Sequence, residues 1–94
     1  MAGSDLNVAF TSNTSGTQEL FGGPTRLKAF IITPTASAGT VVFSDGGSSK
    51  FTVATAASAA GGPVNIGLPA DGVKFSSNLQ ATLTNVAGVT AFHG

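Results

Sequence analysis

The chain has 94 residues and a mass of 9.2 kDa, so its length allows one small domain with a thin core. Four Lys and Arg balance four Asp and Glu, only 9% of the residues are charged, and cysteine is absent. The composition therefore argues against nucleic-acid binding, which needs a basic excess, and it excludes disulfides and thiolate metal sites. Near-zero net charge also removes the self-repulsion that keeps small proteins apart, so it favours association with copies or partners.

The chain contains no obvious targeting or membrane segment. No run reaches the roughly 20 apolar residues that a membrane-spanning helix needs. The first ten residues, MAGSDLNVAF, lack the basic segment and apolar run of a secretory signal. We therefore expect no membrane partner, and we expect synthesis and use in a cytoplasm or in a particle assembled there.

The apolar residues near the start recur with a period of two, which is typical of a β-strand. Three of them predict a half-buried strand with one apolar face: Leu6, Val8 and Phe10. Turn formers at 12–16 end this strand, and a short apolar segment follows at 19–21. Residues 1–25 are either the first two strands of the domain or an arm that docks on a neighbouring molecule, and the alternation favours the strands.

The next strand, 26–33, carries a candidate contact surface. Strict alternation places Leu27, Ala29 and Ile31 on one face. The other face then combines two cations with two large apolar residues: Arg26, Lys28, Phe30 and Ile32. This stripe is either an edge strand protected by charge or a contact surface for a partner or a second subunit, where arginine and aromatic residues are enriched.

The rest of the chain continues the same alternation. Segments 40–44 and 50–55 flank the connection Asp45-Gly46-Gly47-Ser48-Ser49, which predicts a hairpin because Asp-Gly and Gly-Gly supply the positive φ of tight hairpin turns. The Ala-rich stretch 56–62 is predicted to be a loop, since Gly61-Gly62-Pro63 ends it within two helical turns. Shorter strands are predicted at 64–68, 73–75, 79–83 and 89–93, with turns at Asp71-Gly72 and at 85–88.

Strands that start about every 8–12 residues, with no helical period between them, are typical of an all-β sandwich or barrel. We predict that residues 1–94 form a single small antiparallel β-sandwich, Greek-key or jelly-roll-like, with seven or eight short strands.

The ionisable residues do not suggest catalysis. The turn role explains Asp45 and Asp71, because each precedes a glycine. His93 is the only histidine and stands next to the last residue, so we expect an exposed terminal side chain. A trimer that brings three copies of His93 together on its axis is the single metal-site alternative. We therefore predict no enzyme activity, no small-molecule substrate, no cofactor and no metal.

Three stretches, RLKAFIIT at 26–33, AGTVVFSDGG at 38–47 and LQATLTNVAGVTAF at 79–92, together with the richness in small residues, resemble small virion proteins of tailed bacteriophages. The resemblance is to capsid decoration (cement) or head-fibre proteins and covers roughly residues 26–94. It implies a β-sandwich on the outside of the virion capsid, assembled in the host cytoplasm. It also implies a dimer or trimer that contacts the major capsid protein and stabilises contacts between capsid subunits.

Two other functions remain open. A carbohydrate-binding or adhesin module of a phage tail or fibre would need exposed aromatic rings, and the absence of Trp and Tyr counts against it. A small hydrolase would need His93 as its base, because a serine or threonine nucleophile requires one beside it.

Overall fold

The computed structural model describes residues 7–56, 64–69 and 72–94, and these ranges contain nine β-strands and no helix. In chain order the strands are β1 (Asn7–Thr11), β2 (Thr17–Phe21), β3 (Thr25–Pro34), β4 (Gly39–Asp45), β5 (Ser48–Thr55), β6 (Val64–Gly67), β7 (Val73–Phe75), β8 (Leu79–Thr84) and β9 (Val86–His93). Leu6, residues 57–62 of the predicted loop and Asp71 of the predicted turn lie outside the described residues.

The strands form two antiparallel sheets. Sheet 1 has the order β1-β9-β3-β6, with β7 also paired to β3, and sheet 2 has the order β2-β8-β4-β5. The pairs are nested along the chain: β1 with β9, β2 with β8, β3 with β6 and β7, and β4 with β5. A long hairpin rolled into two sheets in this way is a jelly roll. The predicted all-β sandwich is confirmed, with nine strands because β6 and β7 share one position beside β3.

A β-bulge interrupts the pairing of β3 with β9. Leu27 is opposite His93 and Ala29 is opposite Phe92, so Lys28 is an extra residue between two successive pairs. One extra residue reverses the side-chain alternation beyond it, since successive side chains of a strand point to opposite faces.

The bulge makes the predicted common face of β3 wrong. Phe30 and Ile32 are buried in the core together with Leu27, although strict alternation would place Leu27 on the opposite face. Arg26 and Lys28 are exposed. The four residues of the predicted stripe are therefore divided between the core and the surface.

The connection between β6 and β7 passes beside the bulge. The Leu68 N–H donates a hydrogen bond to the Lys28 carbonyl oxygen at 2.9 Å, which engages the backbone of the extra residue. Gly72 has a φ of +82°, and a Cβ at this position would collide with the Leu27 carbonyl oxygen. The close approach therefore requires glycine at position 72.

The core lies between the two sheets and is built around phenylalanine. The ring centroids of Phe30 and Phe43 are 4.9 Å apart, and those of Phe43 and Phe51 are 5.1 Å apart, both in tilted arrangements. Such pairs add about 0.5–1.5 kcal/mol to the stabilisation from burial alone. The large apolar side chains that complete the core are Leu27, Ile32, Val41, Phe75, Leu79, Leu83, Val86 and Val89.

A single residue, Asn85, carries the chain from β8 in sheet 2 to β9 in sheet 1. Its φ is +52°, a left-handed conformation that asparagine adopts more readily than most residues. The predicted four-residue turn at 85–88 is wrong, because Val86 already pairs with Pro34 in the sheet. The connection from β3 to β4 also passes from one sheet to the other, and it contains Thr35. The Thr35 hydroxyl donates a hydrogen bond to the Asn85 carbonyl oxygen at 2.9 Å and so links these two connections.

The predicted hairpin between β4 and β5 is confirmed, with a shorter turn than the predicted 45–49 because Ser48 and Ser49 already pair with β4. Asp45 is opposite Ser48, and the two residues between them, Gly46 and Gly47, have φ values of +59° and +89°. Positive φ at both central positions is the requirement of a type I′ turn, the form that matches the twist of a hairpin.

Candidate interaction surface

Sheet 1 presents an apolar surface on the side away from the core. Residues opposite each other in the register share a face of the sheet, and two such rows cross β1, β9 and β3. One row contains Val8, Phe92 and Ala29, and the next contains Phe10, Thr90 and Ile31. We call Val8, Phe10, Ala29, Ile31 and Phe92 the apolar face. No member of either row is charged.

The predicted inward orientation of Val8 and Phe10 is wrong, since each is 63% exposed. The register pairs them with Phe92 and Thr90, whose side chains alternate with the buried ones of β9. The residues of β1 that face inward are the smaller Ala9 and Thr11, which suffice because β1 lies at the edge of the sandwich. The alternating pattern correctly indicates that β1 has two different faces. It does not indicate which face is buried, and here the face with the larger apolar residues is the exposed one.

The outer face of sheet 2 has a different composition. There Val42 lies between Thr52 and Thr82 in the register, and Thr40 lies between Ala54 and Thr84. This surface is made mainly of threonine and carries no phenylalanine among its paired residues. Large exposed apolar patches on small proteins mark contacts with partners, so sheet 1 is the better candidate for a contact surface.

Cations lie beside the apolar face at the start of β3. Arg26 and Lys74 are directly opposite each other in the pairing of β3 with β7, and both are exposed. Lys28, at the bulge, is exposed too. Like charges opposite each other destabilise a sheet. The single ion pair among the described residues joins Lys50 and Asp45, so none of these three cations has a described carboxylate within 4.0 Å.

Of the four residues predicted to form a contact surface on β3, two lie on the surface, Arg26 and Lys28. The other two, Phe30 and Ile32, are buried in the core and do not contribute to a contact surface. Sequence reasoning missed Val8, Phe10 and Phe92 as surface residues. The repeated large apolar residues of β1 were a visible signal, but their orientation depends on the register with β9.

His93 is buried rather than exposed, with 2% of its surface accessible. Its Nδ1 lies 2.9 Å from the Thr25 hydroxyl, and the Phe21 ring centroid lies 4.9 Å from the imidazole centroid. Desolvation by this burial lowers the pKa of His93 below its ordinary value. The imidazole is therefore enclosed by Thr25 and Phe21 and does not lie on the surface, where the three-histidine alternative would need it.

Asp45 connects the tip of the β4–β5 hairpin to the segment before β8. Its carboxylate accepts the backbone N–H groups of Ser76 at 2.9 Å, Ser77 at 2.8 Å and Asn78 at 3.3 Å. The hydrogen bonds from Ser76 and Ser77 are the main cause that lowers the pKa of Asp45. Asp45 therefore does more than form its own turn, and the carboxylate is already occupied by partners within the chain.

Away from the apolar face, the described surface includes a groove lined by hydroxyl and amide groups. A groove of 380 Å³ at the Asn85 corner is lined mainly by Thr14, Thr35, Thr84 and Asn85. Within the described residues, no buried polar side-chain atom lacks a hydrogen-bond partner. In the same ranges, no three His, Asp or Glu side chains are grouped so that they could hold a metal ion.

Comparison with protein families, with curated proteins and with solved structures finds no match for this chain. In the part of the chain that the structure describes, no helix has the length and apolarity needed to cross a membrane.

Proposed function

We propose that this protein is a non-enzymatic structural protein of a phage virion, a capsid decoration protein that binds the outside of the head. In this role it contacts the major capsid protein and copies of itself and stabilises contacts between capsid subunits. The observation that carries the proposal is the apolar face of sheet 1, on which Val8 and Phe10 are each 63% exposed.

The chemistry of this surface suits a protein partner. When a partner covers exposed valine and phenylalanine, the complex is stabilised by about 25 cal/mol for each Å² of apolar area removed from water. The cations Arg26, Lys28 and Lys74 form a polar rim at one end, where a carboxylate of the partner would relieve their mutual repulsion. An apolar centre with a charged rim is the usual anatomy of a protein interface.

The fold is compatible with this role by analogy only. Jelly rolls occur in viral capsid domains and in lectins, and a fold by itself does not specify a function. Stabilisation would act by mass action, because a protein that binds only the assembled shell shifts the equilibrium toward that shell at every copy.

The test is re-decoration of heads that lack the protein. Purified protein is added to heads of the phage that carries it, and the temperature of DNA release is measured together with the amount bound. We expect the unchanged protein to bind and raise this temperature, and the double variant Val8→Ser, Phe10→Ser to do neither. The matched control is Val42→Ser, an apolar-to-polar change on the outer face of sheet 2, which should bind normally. Equal binding by the double variant, or no binding by the unchanged protein, would overturn the proposal.

A carbohydrate-binding or adhesin module is the second candidate, and the exposed ring of Phe10 favours it because aromatic rings stack on sugar faces. The threonine-lined groove at Asn85 adds hydroxyl groups that could bind a sugar. A glycan array with the purified protein separates the two functions. Binding to a glycan that Phe10→Ser abolishes, without binding to heads, would replace the decoration function by this one.

A further inference from the structure

The free edges of the two sheets are not equally protected. An edge strand presents unpaired backbone N–H and C=O groups, and natural proteins block such edges with charged residues, proline or very short strands. Among the described strands, β2 carries Glu19, β5 carries Lys50, and the edge made by the short strands β6 and β7 carries Lys74. The fourth edge, β1, has the sequence NVAFT and carries neither charge nor proline.

We infer that β1 pairs with β1 of a second copy of this chain and joins two copies of sheet 1 into one continuous sheet. The inference deepens the self-association included in the proposed function, and it stands on the edge strand itself. Among the described strands, β9 pairs with one side of β1 and none pairs with its other side. Alternate residues of β1 therefore direct backbone groups away from β9, toward an antiparallel partner.

Symmetry determines the register of this pairing. A twofold axis perpendicular to the sheet keeps each face on its own side, so residues opposite each other must both face outward or both face inward. Pairing of Val8 in one copy with Phe10 in the other then centres the axis on Ala9, the middle residue of β1. Val8 of one copy is opposite Phe10 of the other, and the two Ala9 residues are opposite each other.

A second copy fits this edge better than an unrelated partner because β1 is self-complementary in this register. Valine opposite phenylalanine is among the cross-strand pairs that stabilise sheets, by about 0.2–1 kcal/mol each. The uncharged edges meet without repulsion, and the most exposed apolar residues, Val8 and Phe10, gain neighbours. The two apolar faces then lie side by side on one surface of the joined sheet and double the area that can contact a capsid.

The interface is small, so its test must detect weak association. Pairing through so short a strand buries less than the roughly 800 Å² per partner of a standard interface, and we expect the dimer to dissociate on dilution. The absence of cysteine from the chain makes site-specific cross-linking straightforward.

The first experiment is a disulfide test with Ala9→Cys. Residues opposite each other in an antiparallel pair have Cα atoms about 4.5–5.5 Å apart, which is within the range that a disulfide spans. In a glutathione redox buffer we expect this variant to form a covalent dimer at least ten times faster than Ala54→Cys. The control introduces the same change at an exposed position of β5, another edge strand. Equal rates for the two variants would overturn the inference.

The second experiment blocks the edge. We expect sedimentation equilibrium of the unchanged protein to show a monomer–dimer equilibrium that Val8→Lys weakens at least tenfold and that Thr52→Lys, on β5, leaves unchanged. A dimer that Val8→Lys leaves intact would overturn the inference and preserve self-association, since the copies would then meet elsewhere. A monomer at all concentrations would overturn the inference, whereas head binding would still test the proposed function independently.

Discussion

Replacing Phe30 by alanine tests the bulge at Lys28 directly, because only the bulge places this side chain in the core. The matched change is Phe10→Ala, which removes the same atoms from the same sheet. Phe30 is 1% exposed, and its ring centroid is 4.9 Å from that of Phe43 and 6.3 Å from that of Phe51. Phe10 is 63% exposed.

The two changes should differ several-fold in their effect on the free energy of unfolding. Replacing a buried phenylalanine by alanine costs about 3–5 kcal/mol, since both the transfer energy and the cavity contribute. A chain of 94 residues has a total stability of about 5–14 kcal/mol, so Phe30→Ala removes a large part of it. For Phe10→Ala we expect about 1 kcal/mol or less, because the ring is mostly in water and alanine only lowers strand propensity.

Urea unfolding followed by circular dichroism measures both values. With a denaturant slope of about 1–3 kcal/mol/M, the difference of at least about 2 kcal/mol should lower the midpoint of Phe30→Ala by at least about 0.7 M relative to Phe10→Ala. Both variants are compared as monomers at low protein concentration, so that self-association does not contribute. Equal losses, or a larger loss for Phe10→Ala, would refute the assignment of these two rings to the core and the surface.

Three further outcomes are expected. Because burial lowers the pKa of His93, the unfolded chain binds the proton more readily, so urea midpoints should fall as pH drops below about 6.5, and His93→Gln should flatten this dependence. Asp45→Asn should lower the midpoint at pH 7, and the difference from the unchanged protein should shrink as pH falls below about 3.8 and the wild-type carboxylate is protonated. Gly72→Ala should destabilise the fold more than Gly47→Ala, because the added Cβ at position 72 would collide with the Leu27 carbonyl oxygen. Both glycines have positive φ, but a Cβ at position 47 would point into open space. Equal losses of stability would contradict the close approach at Gly72.

The sequence predicted the fold class well because the dominant signal is local. Alternation over short segments separated by glycine-rich turns indicates strands, and the pair Gly46-Gly47 specified its turn through backbone sterics. The errors arose where a choice depends on distant residues. The bulge at Lys28 forms where β3 pairs with β9, and the N–H of Leu68 donates to its backbone. Both β9 and Leu68 lie far from Lys28 in the chain.

The surface was harder to predict than the fold for the same reason. Val8 and Phe10 are the largest apolar residues of β1, and burial in the core was the simplest expectation. Their exposure follows from the register with β9, which lies about 80 residues later in the chain. The burial of His93 likewise depends on Phe21 and Thr25, on two earlier strands.

The place of β9 in sheet 1 constrains the order in which the molecule can be completed during synthesis. β9 lies between β1 and β3, and it is made after every other described strand. While the ribosome adds residues, at about 5–20 per second, the hairpin of β4 and β5 can close early, but β1 and β3 have no strand between them. The backbone edges of β1 and β3 that pair with β9 are therefore open for as long as β9 is missing, so a chain truncated before Val86 should aggregate through them.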